Sequence, residues 1–470
     1  MKDIFSVILG AGKGSRMKTN NNDVNKVLYP ILGKPIIKYV IDAVKVLEPK
    51  EVVVVAGHGY ENTAKTLEKH AKIVKQEQIL GTGDALMQAK ELLEGREGIT
   101  IVLYGDTPLI TPETIIETVK KHERENAKLT LLTSILQNAI GYNKIIREEK
   151  SDRVLKIKDT KEESSDEYSL TEIDGGVYVF DNELLFKYLP LLKPDNDHGE
   201  LSIISLVEMF VNDGHLVEAY ITSDRQQIFS INNRFHLGYA AKIVRKRVNM
   251  NLMLNGVSLE DPDVTYISPD VKIGADTIVG PNTFILGECN IGENNYIGPN
   301  TFIENCNIGN NNTILSSHLV DTTIKDNNEV GPFARMRNHT IIEGNSRVGN
   351  FVELKNAHYE KGVKSAHLTY IGDAHVGEAT NIGCGTVTAN YDGYNKMHTE
   401  IGDHSFIGSG TILVAPVEVE SHAFTAAGST ITKNVKEGEM AFERSEQKNV
   451  EGLATKFLAK AKAKKEANKK

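Results

Sequence analysis

The sequence has no tryptophan and only three cysteines in 470 residues. Cys289, Cys306 and Cys384 form no CxxC pair. A disulfide framework is therefore excluded, and a reducing, cytoplasmic compartment is expected. No apolar run approaches the roughly 18 residues needed to cross a bilayer, so no membrane insertion is expected. The apolar start, Ile4–Leu9, is short and runs into Gly and Lys, which reads as a strand entering a loop rather than a signal peptide. Positive charge is also in deficit: 54 Lys and Arg stand against 63 Asp and Glu, a net charge of −9, which argues against a general nucleic-acid binder. What is present, 40% hydrophobic and 25% charged residues, is ordinary for a globular protein. At roughly 100–200 residues per domain, two or three domains are expected.

Two styles of sequence follow one another. Up to about residue 226, short β-rich apolar runs (4–9, 51–56, 99–104 and 129–135) alternate with amphipathic stretches such as 111–127, which opens with Thr-Pro, a good helix start. Alternation of this kind implies an α/β domain. Residues 227–255 hold few breakers and read as a connecting helix. From 256 to 455 the pattern changes. Ile267, Ile273, Val279, Ile285, Ile291, Ile297 and Ile303 recur every six residues, and the beat shifts and continues through Ile308, Ile314 and Val320. A period of six fits neither a helix nor a simple alternating strand. It predicts a β-solenoid whose interior is filled by every sixth side chain, with Gly and Asn taking the turns. Residues 456–470 carry seven Lys against one Glu and read as a solvated tail.

The loop after the first strand, Leu9, Gly10, Ala11, Gly12 and then Arg16, lets backbone N–H groups approach an anion while cations neutralise it. Alone it is a weak signal, but Lys26 follows closely enough to serve the same phosphates. These stretches resemble the signature of sugar-nucleotide pyrophosphorylases. Gln76 with Gly81 and Thr82 resembles the uracil-reading segment of the UDP-sugar enzymes, and Tyr104, Gly105 and Asp106 resemble their metal-binding strand end. The order of motifs is similar over nearly the whole chain to the bifunctional N-acetylglucosamine-1-phosphate uridylyltransferase/glucosamine-1-phosphate acetyltransferase family. That resemblance implies a Rossmann-like nucleotidyltransferase domain, a connecting helix and a left-handed parallel β-helix of hexapeptide repeats. It implies Mg²⁺ held by Asp106 and Asn232, and sugar and uridine positions at Gly141, Asp159 and Asp174. Several positions depart from the family pattern: Gly10 stands for Ala, Asn25 for Pro, Asp84 for His, Asp159 for Glu and Asp174 for Asn. The last substitution matters most, because an ionised Asp only accepts hydrogen bonds whereas Asn also donates.

The solenoid half contains blocks with polar and charged residues that a passive coil would not need, among them 331–337, 349–355, 366–373, 381–386 and 390–393. They resemble the family's acetyltransferase site. A sugar ammonium must lose a proton before its nitrogen attacks the thioester of acetyl-CoA, and imidazole titrates in the right range. His367 is accordingly expected to be the general base, with Glu353 as its partner. Arg337 and Lys355 would hold the sugar phosphate. Tyr370 and Asn381 match sugar contacts; Cys384, Asn390, Tyr391, Ser409, Ala427 and Arg444 match the acetyl-CoA side, Cys384 standing for a family Ala. The resemblance further implies a homotrimer, with UTP, acetyl-CoA and the two sugar phosphates as small-molecule partners. The expected function is acetylation of glucosamine-1-phosphate followed by uridylyl transfer from UTP to N-acetylglucosamine-1-phosphate, releasing pyrophosphate. The competing readings are a UDP-sugar pyrophosphorylase whose solenoid is structural or regulatory, a solenoid metal hydratase or lyase drawing on His358, His367 and His375, and a non-enzymatic scaffold.

Overall fold

A computed structural model describes residues 2–20, 24–137, 139, 142–148, 153–158, 171–194 and 199–468. The chain forms two compact units, residues 1–251 with 266–270, and residues 252–265 with 271–470.

In the first unit the apolar runs become a sheet. Its strand order is Val217–Thr222, Leu129–Ile135, Glu172–Asp181, Ile99–Tyr104, Ile4–Leu9, Glu51–Ala56 and Lys72–Lys75. The Ile4–Leu9 strand lies at the heart of the parallel part, between Glu51–Ala56 and Ile99–Tyr104. Glu172–Asp181 runs antiparallel to both of its neighbours. Strand residues alternate between two cores. Phe5, Val7 and Leu9 face helices 82–87, 182–188 and 205–212, whereas Ile8 and Val54 face Ile36–Lys45 and Pro112–Arg124. The second of those helices begins with Thr111 accepting the Thr114 N–H and with Pro112 in the first turn. The stretch expected to connect the halves contains helix Arg234–Leu254, which is not free-standing: Ala240, Ile243 and Val244 pack on Ile31, Ile36 and Leu109.

The second unit is a coil of short parallel strands in which each strand pairs with the third strand after it. Three ladders result, one per side. The first runs Ile278, Tyr296, Thr313, Glu329, Arg347. The second runs Phe302, His318, Arg335, Glu353, Tyr370. The third runs Thr323, Ile341, His358, His375, Glu400. This is the architecture of a left-handed parallel β-helix of hexapeptide repeats. Six-residue spacing works because three sides of about six residues return the chain to the same face. Ile267, Val279, Ile285, Ile297, Ile303 and Ile314 are fully buried. The beat then steps by five, so Leu319 and not Val320 fills the interior. Asn282, Asn294, Asn300, Asn305 and Asn311 take left-handed turns, as their composition implied. Inside, Asn295, Asn312 and Asn328 form a buried ladder in which each side-chain oxygen accepts the backbone N–H one coil further on. Cys289 and Cys306 are buried free thiols, and burial pushes the Cys306 thiol up to about 12, which makes it inert. The lysine-rich end forms a helix, Leu453–Ala467, exposed along its whole length. No helix of the described residues is long and apolar enough to cross a membrane.

Candidate functional site

The carboxyl ends of the central strands open onto a cleft of about 550 Å³, where an open α/β sheet places its ligands. Its lining gathers Leu9, Gly10, Ala11, Gly12, Arg16, Lys26, Gln76, Gly81, Thr82, Tyr104, Asp106 and Asn232, positions spread over more than 200 residues of sequence. Lys26 Nζ lies 2.6 Å from Asp106 Oδ2, and Arg16 Nη2 donates to Asn232 Oδ1 at 2.9 Å. Arg234 donates to Met17 O at 3.1 Å, which fixes the start of the long helix, and with it Asn232, against the glycine loop.

The loop is braced from beneath by Asn25. Its fully buried side chain donates to Gly10 O at 2.6 Å and His58 O at 2.9 Å, and accepts the Val27 N–H at 3.1 Å. Gln76 Nε2 donates to Gly81 O at 3.1 Å and to Asp84 Oδ2 at 2.7 Å. A carboxylate accepts only, so this pairing fixes which end of the amide is nitrogen and leaves Oε1 as the acceptor end. Gly81 has φ +108, and a Cβ there would meet Leu201 O at 2.5 Å; the Leu201 backbone packs too closely for any other residue.

Not every expected residue lies on the cleft wall. Gly105 is structural: its N–H donates to Leu9 O at 2.8 Å and a Cβ would press on Ile37. Asp174 sits at a bulge in strand Glu172–Asp181, where it accepts the Gly176 N–H at 3.0 Å and the Tyr178 hydroxyl at 2.6 Å. Burial pushes its carboxyl above the usual carboxylate range, against those two hydrogen bonds. Tyr178 in turn meets Tyr104 at the cleft wall, 3.5 Å between hydroxyls. Gly141 and Asp159 lie outside the described residues. Asn143, Glu200, Ser202 and Ser230 also line the cleft, and no motif announced them.

In the coil, ladder register brings the second set together. Arg337 stands opposite Lys355, and Glu353 opposite Tyr370. Arg337 Nη2 donates to Glu353 Oε1 at 2.6 Å, while its buried Nε has no hydrogen-bond partner among the described residues. Lys355, Asn356 and Asn390 all converge on Asp373. Burial opposes that carboxylate, but the three hydrogen bonds and the Lys355 charge hold it below the usual range. The ring partner of His367 is not Glu353, which Arg337 engages. Asn350 is directly opposite His367 in the ladder and lies 2.9 Å from its Nδ1. An amide oxygen accepts, so Nδ1 carries the proton and Nε2 keeps its lone pair.

Asn381 lies on a different ladder from Tyr370, opposite Lys364 and Phe406. Cys384, Ser409 and Ala427 occupy successive turns, linked by Gly410 N–H to Cys384 O, Gly428 N–H to Ser409 O, and Arg444 to Ala427 O. Cys384 is exposed. Tyr391 heads the adjacent insertion, with Lys396 Nζ 4.2 Å from its ring centroid. His358 and His375 are neighbours, but His367 is bound to Asn350 instead, so the three-histidine set of a solenoid hydratase does not form among the described residues.

Comparison with known proteins decides the family. The MobA-like NTP transferase domain matches residues 6–141. A bifunctional protein GlmU from an Exiguobacterium species is 43% identical over 448 residues, 95% of this chain and 98% of that one. Its counterparts from Shouchella clausii and Staphylococcus haemolyticus are each 42% identical, over 97% and 96% of this chain and 100% and 99% of their own. The chain belongs to the GlmU family. As a member it is a bifunctional enzyme of UDP-N-acetylglucosamine synthesis, with uridylyltransferase and acetyltransferase activities acting on small-molecule substrates. A Bacillus anthracis structure described as a glucose-1-phosphate thymidylyltransferase overlays with a TM-score of 0.42 at 17% identity, over 52% of this chain and 95% of its own. An overlay at that score decides nothing about chemistry.

Proposed function

We propose that the cleft of the first unit carries out uridylyl transfer and that the coil around His367 carries out acetyl transfer, with residues 1–226 and 256–455 as the two working domains. The observation that supports the first assignment is the convergence of Arg16, Lys26, Asp106, Asn232 and Gln76 on one cleft. Gln76 Oε1 accepts the N3–H of uracil, and the Gly10–Gly12 loop with Arg16 and Lys26 takes the triphosphate. The phosphate of N-acetylglucosamine-1-phosphate attacks the α-phosphorus of UTP and pyrophosphate leaves. Catalysis is then mainly positioning and charge neutralisation by the two cations and the loop N–H groups. Asp106 and Asn232 offer two hard oxygen donors in the same cleft, the donor type that suits Mg²⁺. Bound there, the ion would add further neutralisation of the phosphates. Asp174 acts behind the wall, setting Tyr178 and Tyr104.

In the coil, His367 Nε2 removes a proton from the glucosamine-1-phosphate ammonium. The freed amine attacks the thioester carbonyl, the C–S bond breaks, and the second amine proton passes to the sulfur, so that coenzyme A leaves as the free thiol. Arg337 and Lys355 bind the sugar phosphate, and the Arg337 Nε, which has no hydrogen-bond partner among the described residues, supports an anion there. Asn350 is a positioning residue that fixes the tautomer. Tyr370 and Asn381 contact the sugar; the Cys384, Ser409, Ala427 and Arg444 column with Asn390 and Tyr391 takes acetyl-CoA. The working enzyme is a cytoplasmic homotrimer. Asp106→Ala should abolish pyrophosphate release and spare coenzyme A release, and His367→Ala should do the converse. Unchanged rates in either variant overturn the corresponding assignment.

A further inference from the structure

Outside both sites, the third ladder carries a mixed cluster of histidines and carboxylates. His358 and His375 stand directly opposite one another on adjacent coils, with ring centroids 5.3 Å apart and planes at 61°. Both Nε2 atoms turn toward one carboxylate: Glu360 Oε1 lies 3.2 Å from His375 Nε2 and 3.8 Å from His358 Nε2. One ligand atom from each of the three residues falls within 4.8 Å of every other. Tetrahedral coordination with metal–ligand bonds of about 2.0–2.2 Å needs ligand atoms roughly 3.4 Å apart, so the half-exposed side chains need to approach one another by no more than about 1.4 Å.

We propose that His358, His375 and Glu360 bind one divalent transition-metal ion of the zinc class. Two imidazole nitrogens and one carboxylate oxygen favour Zn²⁺, Co²⁺ or Ni²⁺ over Mg²⁺ and Ca²⁺, which take oxygen ligands. The cluster also has the outer partner that such sites use. His375 Nδ1 faces Glu400 Oε1 at 2.5 Å, which directs Nε2 at the ion, and His398 Nε2 holds the other Glu400 oxygen at 3.0 Å. Glu343 Oε1, 3.4 Å from His358 Nε2, lies close enough to supply a fourth ligand. The ion ties strand Arg347–Tyr359 to strand Lys364–Val376, cross-linking two coils that also carry His367 and Glu353. It is a different chemistry from the oxygen donors Asp106 and Asn232.

The test uses the full-length protein, stripped with chelator and titrated with Co²⁺ in excess Mg²⁺, so that oxygen sites are filled. One Co²⁺ per chain should give the visible absorption of a four-coordinate ion with nitrogen ligands, and one Zn²⁺ should displace it. His358→Gln with His375→Gln should abolish the band, and Glu360→Gln and Glu400→Gln should each weaken binding by about tenfold or more. These side chains belong to neither proposed catalytic site, so acetyl transfer by the same coil at wild-type rate shows that the variants are folded. The proposal is overturned if the unsubstituted protein shows no such band, or if the double variant, or Glu360→Gln alone, binds Co²⁺ with unchanged affinity and spectrum.

Discussion

Asn25 offers the sharpest test of how the glycine loop is held. Its side chain is fully buried and makes three hydrogen bonds, to Gly10 O, His58 O and the Val27 N–H. A typical intramolecular hydrogen bond contributes about 1 kcal/mol net, and leaving a buried partner unpaired costs about 1–3 kcal/mol. Asn25→Ala should therefore destabilise the first unit by about 2–4 kcal/mol. If 1.4 kcal/mol of that falls on the phosphate-holding arrangement of the loop and Lys26, the KM for UTP rises about tenfold. Asn25→Pro separates two contributions. The backbone at Asn25 has φ −69 and ψ 141, where proline sits without strain, and the family's motif has proline at this position. Proline restores the chain direction into Lys26 and recovers about 0.4–1 kcal/mol through the unfolded state, but it cannot tether Gly10. The expected order of UTP KM is wild type lowest, Pro intermediate, Ala highest. The assay is pyrophosphate release against UTP concentration, with acetyl transfer in the same preparation as the internal control. An Ala variant with wild-type KM and wild-type unfolding would refute the brace. A Pro variant no better than Ala would refute the backbone contribution.

Asp84→Ala should let the Gln76 amide rotate, so the preference for UTP over CTP, measured as a ratio of kcat/KM, should fall by about tenfold, equivalent to about 1.4 kcal/mol; an unchanged ratio sinks the argument. His122 is buried against Thr130, and burial pushes its pKa down to about 4. The unfolded chain takes up this proton near pH 6.5 and the folded chain only near 4, so stability is complete above 6.5 and lost as pH falls between those values. The loss is up to about 3 kcal/mol at about 1.4 kcal/mol per pH unit. His122→Gln should flatten that slope in urea titrations at a series of pH values, and an identical slope would refute the assignment. Gly349→Ala would place a Cβ 1.9 Å from Ala366 O, a backbone atom that cannot move aside cheaply. It should separate Asn350 from His367 and cut acetyl transfer by about a hundredfold or more, about 2.7 kcal/mol, while uridylyl transfer persists; near-normal acetylation would show the ladder to be dispensable there.

Much of the first unit was legible because its chemistry sits at strand ends, which hydrophobic runs announce. Leu9, Tyr104 and Asp106 end or follow buried β-rich segments, and glycines flank them. The antiparallel strand Glu172–Asp181 was not legible, since an apolar run carries no mark of direction. Nor were the roles of Asn25 and Asp84, each recorded only as a departure from a pattern. Their hydrogen bonds link positions 15, 33 and 8 residues apart, and no local period encodes those distances. Glu200 and Ser202 reach the cleft because Leu201 docks on Gly81–Gly83, a contact that the glycines permit but do not name.

The coil is different, because there the interior period dictates neighbours on the outside as well. Three sides of six residues make eighteen, so residues about 17 or 18 apart must touch: Arg337 and Lys355, Asn350 and His367, His358 and His375. The same register sets Asn350, and not Glu353, opposite His367, while Arg337 engages Glu353. It also explains how one chain can carry chemistry on two faces without conflict. Buried positions such as Leu354, Ile371 and Val376 hold the coil together, so outward positions between them are free to differ. Any outward pair one turn apart is then held at ladder distance by backbone hydrogen bonds alone. A His at 358 needs only a His at 375 to become a ligand pair, and Glu360, two residues on and on the same outward face, completes it.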